Sequence, residues 1–174
     1  YRKEATVFPE QTKITTKIGW GNRSLTQSKS RQFFGQVEIS HHFEWNQKNS
    51  VLIKNQTYYL QSKEYITNEL YRFGGINSIR GFNENSLQAN VFCGIMAEYR
   101  YLLAANLYVH TITDYGYIQD ITTEQKDKLL GLGFGFGLFT KNGFFNLIYA
   151  NGSTSNQVIK LSNSIVHISF KTNF

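Results

Sequence analysis

The chain is poor in cysteine and proline, with Cys93 and Pro9 the only examples of each. One thiol cannot close an internal disulfide and has no second cysteine with which to build a metal or redox motif. No stretch approaches the roughly 18 consecutive apolar residues that a membrane-crossing helix requires, and the mean hydropathy is polar, at −0.36. A membrane β-barrel also has a polar average, because half of each strand faces a wet interior. Catalytic signatures are missing too: H-E-x-x-H, G-x-S-x-G and C-x-x-C do not occur. His41 and His42 are adjacent in strand-like text, so they point to opposite faces and cannot chelate one ion together. The expectation is therefore a non-enzymatic protein with no cofactor and no metal. The formal net charge is +6, but Lys13, Lys17, Arg23, Lys29 and Arg31 are scattered rather than gathered in a block. That scatter argues against a nucleic-acid groove.

Aromatic side chains are plentiful at 16%, with eleven Tyr and fourteen Phe. Rings and β-branched side chains suit a pleated surface. Period-two alternation runs through most of the chain. In "QTKITTKIGWG", Ile14, Thr16, Ile18 and Trp20 share one face against Lys13, Thr15 and Lys17. In "QVEISHHFEW", Val37, Ile39, His41, Phe43 and Trp45 alternate with Gln36, Glu38, Ser40, His42 and Glu44. Further strands are predicted over "SVLIKNQTYYL", "NVFCGIMAEYRYLL", "NLYVHTITDYGYI", "LLGLGFGFGLFT", "GFFNLIYANG" and "SIVHISFKTNF". The result is an all-β chain of about eight strands, each near the length at which a tilted strand crosses a bilayer. Links are short ("LAAN", "TKNG") or long and polar ("QDITTEQKDK"), and residues 1–174 show no linker or second domain. A soluble β-sandwich also explains alternation, but not strands this long with aromatics near both ends.

Four segments carry the functional reading. In "GLGFGFG", glycine at every second position from Gly131 to Gly137 leaves one face bare, which predicts that something packs closely against it. In the last strand Val166, Ile168, Phe170, Thr172 and Phe174 share a face. Such an end would be an aggregation-prone edge in a soluble protein, and it looks like the C-terminal signal of bacterial outer-membrane proteins. The third segment, "GGINSIRGFNENS", is loop text holding a single cation, Arg80, between Ile79 and Gly81-Phe82. The fourth is a pair of strands bearing Glu98 ("GIMAEYR") and Asp114 ("TITDYGY"). With Val91, Ile95, Tyr99 and Val109, Thr113, Tyr117 facing lipid, both acids fall on the interior side. The planar fork of Arg80 can then pair with either.

Taken in order, G-G-x-x-S-I-R-G-F, G-x-x-x-E-Y-R, D-x-G, a glycine-rich strand and a terminal-Phe strand resemble the BamA-like outer-membrane assembly and translocation superfamily, with a flavour of Bacteroidetes members. The resemblance covers most of the C-terminal half of the chain. It implies that the loop around residues 63–87, with Gly74, Gly75, Ile79, Arg80, Gly81 and Phe82 at its tip, folds back into a barrel lumen. It further implies that Arg80 pairs with an inner-wall acid, that Asp114, Glu98 and Gly116 are the matching wall positions, and that Val166, Ile168, Phe170 and Phe174 form a seam strand. Thr113 and the lack of an arginine in the glycine-rich strand depart from the family pattern. An eight-stranded barrel has an interior only just wide enough for side chains, so an inserted loop implies a larger barrel of about sixteen strands. Residues 1–174 are then expected to be its C-terminal half, without POTRA domains in this chain. The expected location is the outer membrane of a Gram-negative bacterium. The expected partners are membrane lipid, unfolded outer-membrane or secreted client proteins, and the other barrel half with POTRA domains or accessory assembly subunits; nucleic acid is not expected. Two other readings stay open at this point: a two-partner-secretion-type pore, and a small structural barrel of eight strands.

Overall fold

The computed structural model describes residues 11–24 and 29–172. Eight long strands form one antiparallel sheet: β1 (Gln11–Ser24), β2 (Lys29–Glu44), β3 (Asn49–Ser62), β6 (Val91–Ala104), β7 (Leu107–Asp120), β8 (Gln125–Thr140), β9 (Gly143–Ser153) and β10 (Ile165–Thr172). Two three-residue strands, β4 (Tyr71–Phe73) and β5 (Leu87–Ala89), make a separate hairpin between β3 and β6. Neighbours in the large sheet run β1-β2-β3-β6-β7-β8-β9-β10. Each of the eight alternating segments in the sequence is one strand of this sheet. β1 and β10 lie at opposite edges, and no pairing among the described residues joins them into a closed barrel.

The sheet is rolled. Leu52 and Lys54 of β3 line the same cavity as Ser169 and Lys171 of β10, although four strands lie between them. In a flat sheet, with about 4.8 Å between strands, they would stand about 24 Å apart. The segment between β3 and β6 lies against the concave face.

Alternation sorts side chains by face: the convex face is apolar and exposed, and the concave face carries polar side chains beside the apolar core. On the convex face Ile14, Ile18, Trp20, Ile39, Ile53, Ile95, Tyr115, Phe134 and Ile168 are all exposed. On the concave face the strands present Glu38, Lys54, Gln56, Glu98, Arg100, His110, Asp114 and His167. Register explains why the arrangement persists across the sheet. Met96, Asp114, Gly131 and Gly152 stand side by side across β6 to β9, and a slip of one residue would turn each strand inside out.

The connections differ at the two ends. At one end, residues 45–48, 105–106 and 141–142 make tight turns. At the other lie the long segment 63–90, the turn at 121–124, and 154–164. The polar text "QDITTEQKDK" is not the long loop expected from composition. Pairing runs out to Asp120 and Gln125, and only 121–124 forms the turn. The Asp120 carboxylate accepts hydrogen bonds from the Thr122 amide and hydroxyl at 2.8 and 2.6 Å. Polar side chains here close a turn instead of solvating a loop.

The segment 63–90 has more order than its composition predicts. A 3-10 turn at Thr67–Glu69 and the β4–β5 hairpin pack on the concave face. Their rings continue those of the wall. Tyr58 stacks on Tyr71 with centroids 4.6 Å apart, and Phe73 on Phe92 at 4.1 Å. With Leu60, Leu70, Ile79, Phe82, Met96, Ile118 and Leu129 they form the main apolar core. Arg23 of β1 ties the base of the segment down through Glu69 at 2.6 Å, and Gln32 of β2 donates to the same carboxylate oxygen.

Candidate functional site

The site is the tip of this segment, residues 74–84, together with the strip of wall beneath it. Three backbone turns in the left-handed region, at Gly74, Gly75 and Gly81, let the chain fold on itself; their φ values are 103°, 93° and 86°. An L side chain is strained there. The amide of Gly75 donates to the carbonyl of Ile79, and that of Ser78 to Gly75, both at 3.1 Å. The Glu84 carboxylate accepts from the Ile76 amide at 3.2 Å, closing the tip from its far side.

The wall accepts this tip where it has no side chains. Gly94 of β6 and Gly116 of β7 are cross-strand partners, and Ile79, wholly buried, sits over both: an added Cβ would lie 3.2 Å and 3.3 Å from its Cδ1. Gly131 of β8 and Gly152 of β9 are likewise partners. A Cβ at Gly131 would overlap the Arg80 carbonyl oxygen, and one at Gly152 would overlap the carbonyl of Gly81 and the Phe82 ring. The bare face expected of "GLGFGFG" is thus covered in two ways. The loop backbone lies on Gly131, while the His110 imidazole and Tyr108 ring of β7 fill the space over Gly135 and Gly137.

Arg80 is 3% exposed and Asp114 wholly buried. The Arg80 backbone amide and Nε both donate to Asp114 Oδ2 at 2.8 Å, and Nη2 donates to Oδ1. Nη1 donates to Glu98 Oε1. The other Glu98 oxygen takes two hydrogen bonds from Arg100, from Nε at 2.9 Å and Nη2 at 2.6 Å. Two cations and two carboxylates therefore balance, with Arg80 and Asp114 buried and Glu98 and Arg100 beside the cavity. Burial works against the Arg80 charge, but its hydrogen bonds to Asp114 and the fields of both carboxylates outweigh this, so its pKa stays above the usual arginine range. Beside them, His110 Nδ1 lies 3.7 Å from Glu98, and the Arg100 guanidinium lies 5.5 Å from the centre of the Tyr108 ring.

The tip spans the wall from one side to the other. Lys54 of β3 donates to the Asn77 carbonyl at 2.9 Å, and the amide of Gly81 donates to His167 Nε2 of β10 at 3.2 Å. A single loop therefore touches the wall from its third strand to its last.

The structure brings Arg80 together with both Asp114 and Glu98. Gly116, the third wall position, seats Ile79. Val166, Ile168 and Phe170 lie exposed along the convex side of β10, away from the site; Phe174 falls outside the described residues. Gly94, Gly152, Arg100 and His167 were not singled out from the sequence as site residues. Parity was the available signal: Gly94 and Arg100 share a strand face with Glu98, and His167 faces inward opposite Val166 and Ile168. The identity of the group above each was not readable.

The two arginines and two carboxylates bind one another and fasten the loop to the wall, an arrangement that can act as a clamp. No family model matches the chain, and no curated protein matches it in sequence.

Proposed function

We propose that this chain is the C-terminal half of an outer-membrane β-barrel that inserts or translocates other proteins, acting without chemical catalysis. The observation that carries the reading is the seat of Arg80: an R-G-F loop tip is clamped by two carboxylates on the concave face of a sheet whose convex face is apolar and exposed. A sheet with carboxylates inside and Ile, Phe, Tyr and Trp outside suits lipid on the outside and water within. The resemblance of the loop and strand motifs to the BamA-like superfamily supports assembly or translocation as the task. On this reading β1 and β10 are edges that other strands meet. An edge such as β10, with unpaired backbone groups, can accept a client strand by β-augmentation. The loop holds the wall's curvature while that edge opens.

Depletion of the protein in its host, followed by quantification of outer-membrane proteins, tests this reading. Loss of many barrels together is the expected result. Loss of one exported protein alone would move the assignment to dedicated secretion, and unchanged levels of all of them would overturn it.

A further inference from the structure

The connection between β9 and β10, residues 154–164, carries three large apolar side chains in solvent: Val158, Ile159 and Leu161, the last 83% exposed. They belong to none of the apolar clusters of the concave face. The sheet shows on which side this connection lies. Asn151 of β9 pairs in register with Leu132, a convex-face residue, and follows convex-facing Tyr149 by two positions. Its side chain therefore leaves the sheet on the convex side. The Asn151 amide group donates to the Lys160 carbonyl and, at 3.2 Å, to the Ser164 hydroxyl. The connection is thus tied down on the convex side, between the apolar surface of β8–β9 and the exposed Val166 of β10. Leu161 opens a 3-10 turn immediately after the tied carbonyl, so it is held in place by backbone structure rather than left at the end of a free loop.

We propose that residues 158–161 are a membrane-interface anchor, with Val158, Ile159 and Leu161 entering the acyl boundary of the adjacent leaflet and the Lys160 ammonium reaching lipid phosphate. The proposal rests on the outer-membrane reading of the sheet. Continuity with the apolar convex face selects lipid as the occupant, and a cation among the apolar residues suits a surface whose headgroups are anionic. The anchor stands beside the last strand, so it fixes the leaflet position of the edge that would open.

The test uses the full chain reconstituted in phosphatidylcholine–phosphatidylglycerol vesicles. Cys93, which is exposed, is first replaced by serine. Single cysteines are then introduced as Leu161→Cys, as Asn156→Cys in the polar part of the same connection, and as Phe134→Cys in the middle of the convex face. Each is labelled with a polarity-sensitive fluorophore. The expected result is blue-shifted emission from position 161, quenched by lipids brominated near the headgroup and protected from aqueous iodide, with position 156 showing the opposite. Emission from 161 that matches 156, while 134 reports lipid, overturns the anchor and leaves the membrane reading standing. If 134 also reports water, both fall. Protection of 161 from both quenchers means that protein covers it, and this too overturns the anchor.

Discussion

Arg80 donates four hydrogen bonds to two carboxylates, one of them wholly buried, and that geometry sets the cost of losing it. Arg80→Ala leaves Asp114 buried without its counter-charge, and breaking a buried pair from one side costs about 3–5 kcal/mol. The expected outcome is a large drop in the denaturant midpoint of the folded protein. Arg80→Lys should recover only part of it, because an ammonium cannot reproduce the planar fork that meets both oxygens of Asp114. Equal midpoints for the lysine variant and the parent would refute the bidentate clamp. Glycine provides a second residue-scale test. Gly131→Ala must push the Arg80 carbonyl off the wall, whereas at Gly35 an added Cβ meets nothing within 4 Å. We expect Gly131→Ala to cost about 1–3 kcal/mol and Gly35→Ala to be close to neutral in the same unfolding assay.

Among the elements, the 63–90 segment illustrates how composition can mislead. Its tip reads as polar loop, and three-residue strands such as β4 and β5 are too short for alternation to reveal. They form because Tyr71 and Phe73 find flat partners in Tyr58 and Phe92 on the wall, and such packing depends on residues distant in sequence. Phe73→Ala should remove about 3–5 kcal/mol of packing while leaving the eight long strands intact. Limited proteolysis should then cut within 63–90 much faster than in the parent, with the β-sheet circular dichroism unchanged. A loss of the whole sheet signal would show instead that the hairpin is part of the wall's own core. The eight long strands were legible because each repeats its pattern over many residues. The turn at 121–124 was not, since the polar text around it reads as loop, and only pairing across β7 and β8 extends the strands to Asp120 and Gln125.

For the molecule as a whole, the decisive property is the apolar, exposed convex face. A soluble sheet with one wet face would tolerate a lysine at convex Phe134, which is already 62% exposed. In a bilayer midplane the same change costs about 2–4 kcal/mol. Phe134→Lys should therefore lower the stability of the lipid-reconstituted protein by that amount, and a midpoint unchanged in lipid would contradict the membrane reading. The open edges at β1 and β10 bear on the same question. A rolled sheet that already holds a folded segment against its concave face has more interior than eight closed strands supply, which is why a further set of strands is part of the proposal.

Alternation by itself determined the strands, their two faces and the inward direction of Glu98 and Asp114, because side-chain direction in a strand is a local consequence of the pleat. It also left Arg80 as the one cation in a glycine-rich loop with two candidate anions. Tertiary structure alone decided the rest: that Ile79 takes the Gly94–Gly116 seat, that Glu98 is shared with Arg100, that His167 of the last strand accepts from Gly81, and that Asn151 ties the β9–β10 connection on the convex side. The Ile79 and His167 contacts join residues placed together by strand register and by the curl of the sheet, and neither is encoded in any single segment.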